Sequence, residues 1–260
     1  MKGQLRELYR YRELLWMITY RDIKVRYKQS VIGLLWAILM PSLIVLSGVV
    51  VRFGFALASG KQLATAEIAA VAVKAVPWAF LVSSIRFSCN SLTNNVALVT
   101  KIYFPKEIFP LAAVLASLFD FLVASAGLVP LLLIFNGGWV QIFWVPLLFV
   151  MMVCLASGIG MIVSAASLFF RDVKYLVDVV LTFAIFFTPV FYDAQMFGEK
   201  GQWLLLNPVA PILEGIAGCM ARQQFPDLSW LVYSLTFSIL ALVGGYLFFK
   251  HLEPAFAESI

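Results

Sequence analysis

Apolar stretches long enough to cross a membrane alternate along the chain with short polar interruptions, and the charges act as punctuation because a charged side chain inside a bilayer is costly. The charge-free run Gln29 to Val51 is 23 residues, about 34 Å of helix at ~1.5 Å per residue, enough for a ~30 Å hydrocarbon layer. A basic N-terminus precedes it and Ala56-Leu57-Ala58 imitates a cleavage site, but the run is too long for a signal peptide and predicts a permanent first span. From Phe121 to Phe170 there are 50 residues without a charge, broken only by Asn136-Gly137-Gly138, which predicts a hairpin of two spans. Its second half carries Ala156, Gly160 and Ser164 at i, i+4 and i+8, a stripe suited to close helix packing.

Six spans follow, at about 30–54, 71–95, 111–135, 142–168, 175–192 and 229–249. Between the last two, Pro208, Pro211 and Glu214 interrupt the apolar residues, so short re-entrant or interfacial helices are expected over 201–221. Residues 1–28 place Leu5, Leu8, Leu15 and Ile18 roughly on one face, with aromatic residues at interface-loving positions. The expected fold is an all-α membrane protein: a cytoplasmic interfacial amphipathic segment at 1–28, then a six-span transmembrane domain over 29–260.

Composition agrees with this pattern. The 260 residues are 62% hydrophobic and 13% charged with a mean hydropathy of +0.94, which excludes an ordinary soluble domain. The net charge is +5, with 19 Lys+Arg against 14 Asp+Glu, and it calls for membrane lipids as partners, not nucleic acid. An even number of crossings leaves both termini on one side, where 13 Lys and Arg fall against five on the other (Arg52, Lys61, Lys74, Lys200 and Arg222), so both termini are expected in the cytoplasm. Arg86 is left inside the second span, where it either pairs with an acid such as Asp120 or faces an aqueous lumen. Three cysteines without a C-x-x-C pair and a single histidine, His251, favour neither a disulfide framework nor a metal site.

Two further segments stand out. Residues 99–110, VTKIYFPKEIFP, carry the pair Tyr103 and Phe104 followed by Pro105 and Pro110 and look like a docking knob with exposed apolar anchors, although a plain loop is an alternative. Arg21, Lys24, Arg26 and Lys28 suit either a simple anchor or a grip on a lipid head group or pyrophosphate.

The blocks YRDIKVRYKQSVIGLLWAILMPSL (20–43), VTKIYFPKEIFPLAAV (99–114), FFRDVKYL (169–176), FFTPVFY (186–192) and LNPVAPILEG (206–215) resemble the type-2 ABC exporter permeases, in order and over nearly the whole chain. The resemblance is to the transmembrane subunits of polysaccharide exporters for O-antigen, capsule and teichoic acid. It implies a homodimer joined by two ATP-binding subunits in the bacterial cytoplasmic (inner) membrane, with a lipid-linked polysaccharide or polyol-phosphate polymer as substrate. It also implies that Lys101, Tyr103, Phe104, Pro105, Lys106 and Glu107 dock on the ATPase. The first and fifth spans would line the channel, which makes Trp36, Phe187, Phe191 and Tyr192 candidate pathway residues beside Arg86, since aromatic faces hold sugar rings without trapping them.

The chain lacks a P-loop. The nearest approach, Gly54 to Gly60-Lys61-Gln62, has one spacer too many and Gln in place of the hydroxyl. No cofactor is therefore expected here, with ATP and magnesium held by the partner subunit. The acids are too scattered to name a reaction, so a transferase acting on polyprenyl-linked sugars is disfavoured and no catalytic residue is expected. Export of a drug or small lipid by the same fold remains the alternative.

Overall fold

The computed structural model describes residue 7 and residues 9–28, 31–60, 62, 64–101, 104–135 and 140–256. Its helices are α1 (Arg12–Tyr27), α2 (Leu35–Ser59), α3 (Thr65–Cys89), α4 (Val96–Lys101), α5 (Ile108–Phe135), α6 (Val145–Phe169), α7 (Val173–Phe187), α8 (Gly201–Leu205), α9 (Val209–Ala217) and α10 (Leu228–Leu252). No strand occurs among the described residues. Among the described residues five helices are long and apolar enough to cross a membrane: Leu35–Ala58, Thr65–Cys89, Ile108–Gly127, Gln141–Phe169 and Leu228–Ala255.

Local chemistry sets the boundaries. Gly60 closes α2 in the left-handed conformation, its N–H donating to the carbonyls of Ala56 and Leu57. Asp227 caps α10 by accepting from the Ser229 N–H at 2.9 Å. The fifth expected span, 175–192, is shorter than the pattern predicts. Pro189 forces Thr188 out of the helical region (φ −116°, ψ 134°), so α7 stops at Phe187 after 15 residues, about 22 Å and less than a bilayer crossing by itself.

Charges delimit the spans less strictly than expected. The first helix runs on past Arg52 to Ser59, and the second begins at Thr65, so both Arg52 and Lys74 lie inside helices. Both charges have carboxylate partners.

At the centre is α3, with 72% of its most apolar stretch buried, against 17% for α2. The main core joins Trp78, Phe80 and Ile85 of α3 to Leu148, Met152 and Leu155 of α6 and to Ile212, Leu213 and Ile216 of α9. The stripe Ala156, Gly160, Ser164 receives α3: a Cβ on Gly160 would meet Ser88 Oγ at 2.8 Å, and Ser164 Oγ lies 2.9 Å from Ser91 Oγ. On another face of α6, Gly158 abuts the backbone of Ala241, and Gly245 abuts Gly158 in turn, which brings α10 into backbone contact with α6. A second core at the other end gathers Ile18 of α1, Phe104, Ile108 and Phe109, Met161 and Ala165 of α6, and Phe249 and Phe256. The expected hairpin turn at Asn136-Gly137-Gly138 lies outside the described residues.

Candidate functional site

Three clusters and one open face carry the charge and aromatic chemistry. The first cluster lies at the end of the bundle that bears α8 and α9. Asp193, just past α7, sits among Arg52 of α2, Lys74 of α3 and Arg222 of the π-helical turn Gly218–Arg222. Arg52 Nη2 lies 2.6 Å from Asp193 Oδ2, and Lys74 Nζ donates to Asp193 Oδ1 at 2.8 Å and to the Tyr192 carbonyl at 2.6 Å. Glu214 of α9 closes the ring, 3.3 Å from Lys74 and 3.1 Å from Arg222.

Lys74 is completely buried and Arg52 nearly so, which is sustainable only because each charge is paired and hydrogen-bonded. Burial alone would push the Asp193 carboxyl up, but Lys74, Arg222 and Arg52 outweigh it and hold it at about 2. The cluster ties α2, α3, the segment after α7 and the short helices into one block. Arg52 Nε also donates to the Phe191 carbonyl at 2.8 Å. The sequence places these five charges on one side but does not pair them. The available signal is five isolated charges in apolar surroundings that the positive-inside count assigns to a single face.

The second cluster joins α1 to α5. Arg26 Nη1 lies 2.5 Å from Asp120 Oδ2, Tyr27 Oη donates to Asp120 Oδ1 at 2.5 Å, and the Arg26 guanidinium stacks 3.6 Å from the Phe87 ring centroid. Beside it a cavity of about 410 Å³ is walled by Trp36, Met40, Phe80 and Phe121. Asp120 is therefore spent on Arg26, and Arg86 pairs instead with Asp178 of α7 at 2.7 Å, with both side chains about half exposed. This corrects the Arg86–Asp120 pairing: Arg86 occupies the last turn of α3 beside α7, not the face that meets α5. Arg26 is likewise no free phosphate ligand. Arg21 pairs with its neighbour Asp22 at 2.8 Å, Lys24 stacks over Tyr20, and Lys28 is exposed.

The third cluster is the turn before α5. Lys101 is exposed and Tyr103 lies outside the described residues. The expected exposure of Phe104 is corrected: its ring is 6% exposed and packs edge-on to Phe109 at 5.5 Å. Apolar neighbours on α5 and α6 and the C-terminal Phe256 bury it more effectively than solvent could hold it. Pro105 is buried too. Glu107, also buried, accepts from Lys250 Nζ at 2.7 Å, and Glu253 bridges Lys250 (2.8 Å) and the Lys106 N–H (3.1 Å). Burial pushes the Glu107 carboxyl up, against the opposing hydrogen bond from Lys250. Lys250 and Glu253 complete a bracket that the sequence did not single out.

The open face consists of α2 and α7. Leu43, Leu46, Val50 and Phe53 of α2 are exposed, as are Val179, Phe183 and Phe186 of α7. Trp36 and Phe187 belong to this face, Phe187 being 71% exposed. Phe191 does not: it is 8% exposed, packed against Phe186 and close to Gly48, so a pathway-facing ring there is corrected. Tyr192 is half-buried, with its hydroxyl donating to the Phe186 carbonyl at 2.7 Å.

Among the described residues the architecture is all-helical, with several membrane-length apolar helices and paired charges within them, as in a multi-pass membrane protein. Residues 13–221 match the family described as ABC-2 type transporter, and the chain belongs to that family. It is 26% identical to the O-antigen export system permease protein RfbA of Myxococcus xanthus, with 98% of each chain covered. Two proteins of that name from Klebsiella pneumoniae are each 30% identical, with 95% of each chain covered.

Proposed function

We propose that this chain is the permease subunit of a polysaccharide exporter of the O-antigen type, which moves a lipid-linked glycan across the bacterial cytoplasmic membrane. The observation that carries the reading is similarity to permeases named for O-antigen export, at 26–30% identity over 95–98% of this chain and of each relative. Two copies of the chain, each covering the other's α2 and α7 face, would enclose the conduit, and two ATP-binding subunits would supply ATP and magnesium. Six crossings per subunit follow if α7 and the turn residues 188–192 together make the fifth. The Lys/Arg distribution supports cytoplasmic termini and puts the Asp193 cluster at the outer mouth.

The turn at 104–107 is the coupling point in this reading. Glu107, Lys250 and Glu253 lock it to the end of α10, so a push from the ATPase moves helices and does not merely bend a loop. Deletion of the gene, followed by examination of surface polysaccharide and co-purification of the tagged chain with its ATPase, tests the reading. Loss of the polymer from the surface with accumulation of lipid-linked glycan inside is expected. Intact surface polysaccharide, or an ATPase stimulated by small amphiphiles but not by lipid-linked glycan, would reassign the fold to small-lipid or drug export.

A further inference from the structure

A cavity of about 280 Å³ opens behind the Asp193 cluster, between the short helices and the start of α10. Its lining includes Gln195, Gln202 and Gln224, all three solvent-exposed, with Glu214 and Arg222, and Trp230 stands at one side. None of the three amides has a protein partner among the described residues. Trp230 is half-buried and braced edge-on by Tyr233, with centroids 5.6 Å apart and planes at 85°. Trp203, by contrast, is 76% exposed, as befits a membrane-interface anchor.

A sugar ring has an apolar C–H face and a rim of hydroxyls, each of them both donor and acceptor. An immobilised indole matches the face, and unpartnered amides, which also donate and accept, match the rim. The charged wall residues are Glu214 and Arg222, paired at 3.1 Å, and Asp227, which accepts from the Ser229 N–H, so the cavity does not select for an anionic ligand. Its volume lies near the lower end of small-ligand sites, roughly 300–1,000 Å³, which suits one ring and not a polymer. We infer that this cavity is a subsite for a single neutral sugar ring at the mouth of the permease. The inference takes its sugar from the proposed function, but its geometry from the residues above. A ring seated there touches Glu214 and Arg222, the outer members of the buried cluster that grips α2 through Arg52 and α3 through Lys74.

The test is saturation-transfer NMR on the purified full chain in lipid nanodiscs. The probes are D-glucose, D-galactose, D-mannose and L-rhamnose at millimolar concentration, with N-acetylneuraminic acid as the anionic control. At least one neutral sugar should receive saturation, weakened roughly three- to ten-fold by Trp230→Ala, retained in Trp230→Phe and Trp203→Ala, and reduced in the Gln195→Ala/Gln202→Ala double variant. No transfer to any neutral sugar, or equal transfer in Trp230→Ala, would overturn the subsite. Preference for the anionic sugar would overturn the assignment to neutral rings. Loss of surface polysaccharide on gene deletion with no transfer would remove the subsite and leave the exporter. Transfer with surface polysaccharide unaffected by deletion would do the reverse.

Discussion

Asp193 is the residue on which the buried ion cluster depends, because it faces three cations at once. Asp193→Asn leaves Lys74 and Arg222 sharing Glu214 and Arg52 with no carboxylate partner, and stripping one partner from a buried pair costs about 3–5 kcal/mol. A marked fall in the melting temperature of the nanodisc-embedded protein is expected. Adding Arg52→Gln to Asp193→Asn should lower it by less than the sum of the two single effects, since the second change removes a charge that the first left unpaired. The pH dependence has a definite sign. Asp193 is held at about 2, below its ordinary ~3.9, so its stabilisation is complete above that ordinary value and is lost as pH falls toward 2. Thermal melts should therefore show no Asp193-dependent loss between pH 7 and pH 5, with the difference between wild type and Asp193→Asn shrinking only below about pH 4. The sequence displays these charges but not their partnership, because pairing across residues as distant as 52 and 193 is set by tertiary packing. Asp120 shows the same limit from the other side. Its partner is Arg26, which looks in the sequence like one of four equivalent surface cations, and only the packing of α1 along α5 distinguishes it.

At the scale of elements, the small-residue contacts of α6 divide between two neighbours. Gly160 and Ser164 receive α3, and Gly158 receives α10. The i, i+4 stripe was legible because its spacing is local, whereas Gly158, two residues away on a different face, acquires meaning only from Gly245 on α10. A side chain at Gly158 would collide with main-chain atoms of Ala241, so Gly158→Leu should separate α6 from α10 and abolish a folded, monodisperse peak in size-exclusion chromatography. Gly127→Ala, where a Cβ meets nothing within 4 Å, should leave the peak unchanged. The coupling turn gives a second prediction. Glu107→Lys sets two cations against each other at Lys250, whereas Glu107→Gln keeps the shape and loses only the pair. Charge reversal should leave ATPase activity in the assembled complex while lowering export several-fold, and Glu107→Gln should fall between it and the wild type. Equal export in all three would remove this turn from the coupling path.

For the whole molecule, burial is distributed unevenly in a way that a single copy does not account for. Helix α3 has 72% of its most apolar stretch buried, whereas α2 and α10, about equally apolar, have 17% and 22%. A lipid-facing helix can be left bare, but α2 carries Arg52 at its far end and Trp36 beside the cavity near Arg26, so it joins both clusters while its remaining face is open. That placement fits a helix at the seam between two copies, with α7 beside it and the conduit between. The three native cysteines make the idea easy to test, since Cys89 and Cys219 are buried and Cys154 is partly so, leaving little background for disulfide formation. Single cysteines at Leu46 and Val50, exposed on α2, should give a disulfide-linked dimer under mild oxidation in native membranes. A cysteine at Leu122, exposed on α5, should give none. The dimer band should persist when the ATP-binding subunit is absent if the permease pairs by itself, and should strengthen or weaken with nucleotide if α2 moves in the transport cycle. Cross-linking at Leu122 with none at Leu46 and Val50 would place the seam on α5 and move the conduit away from Trp36 and Phe187.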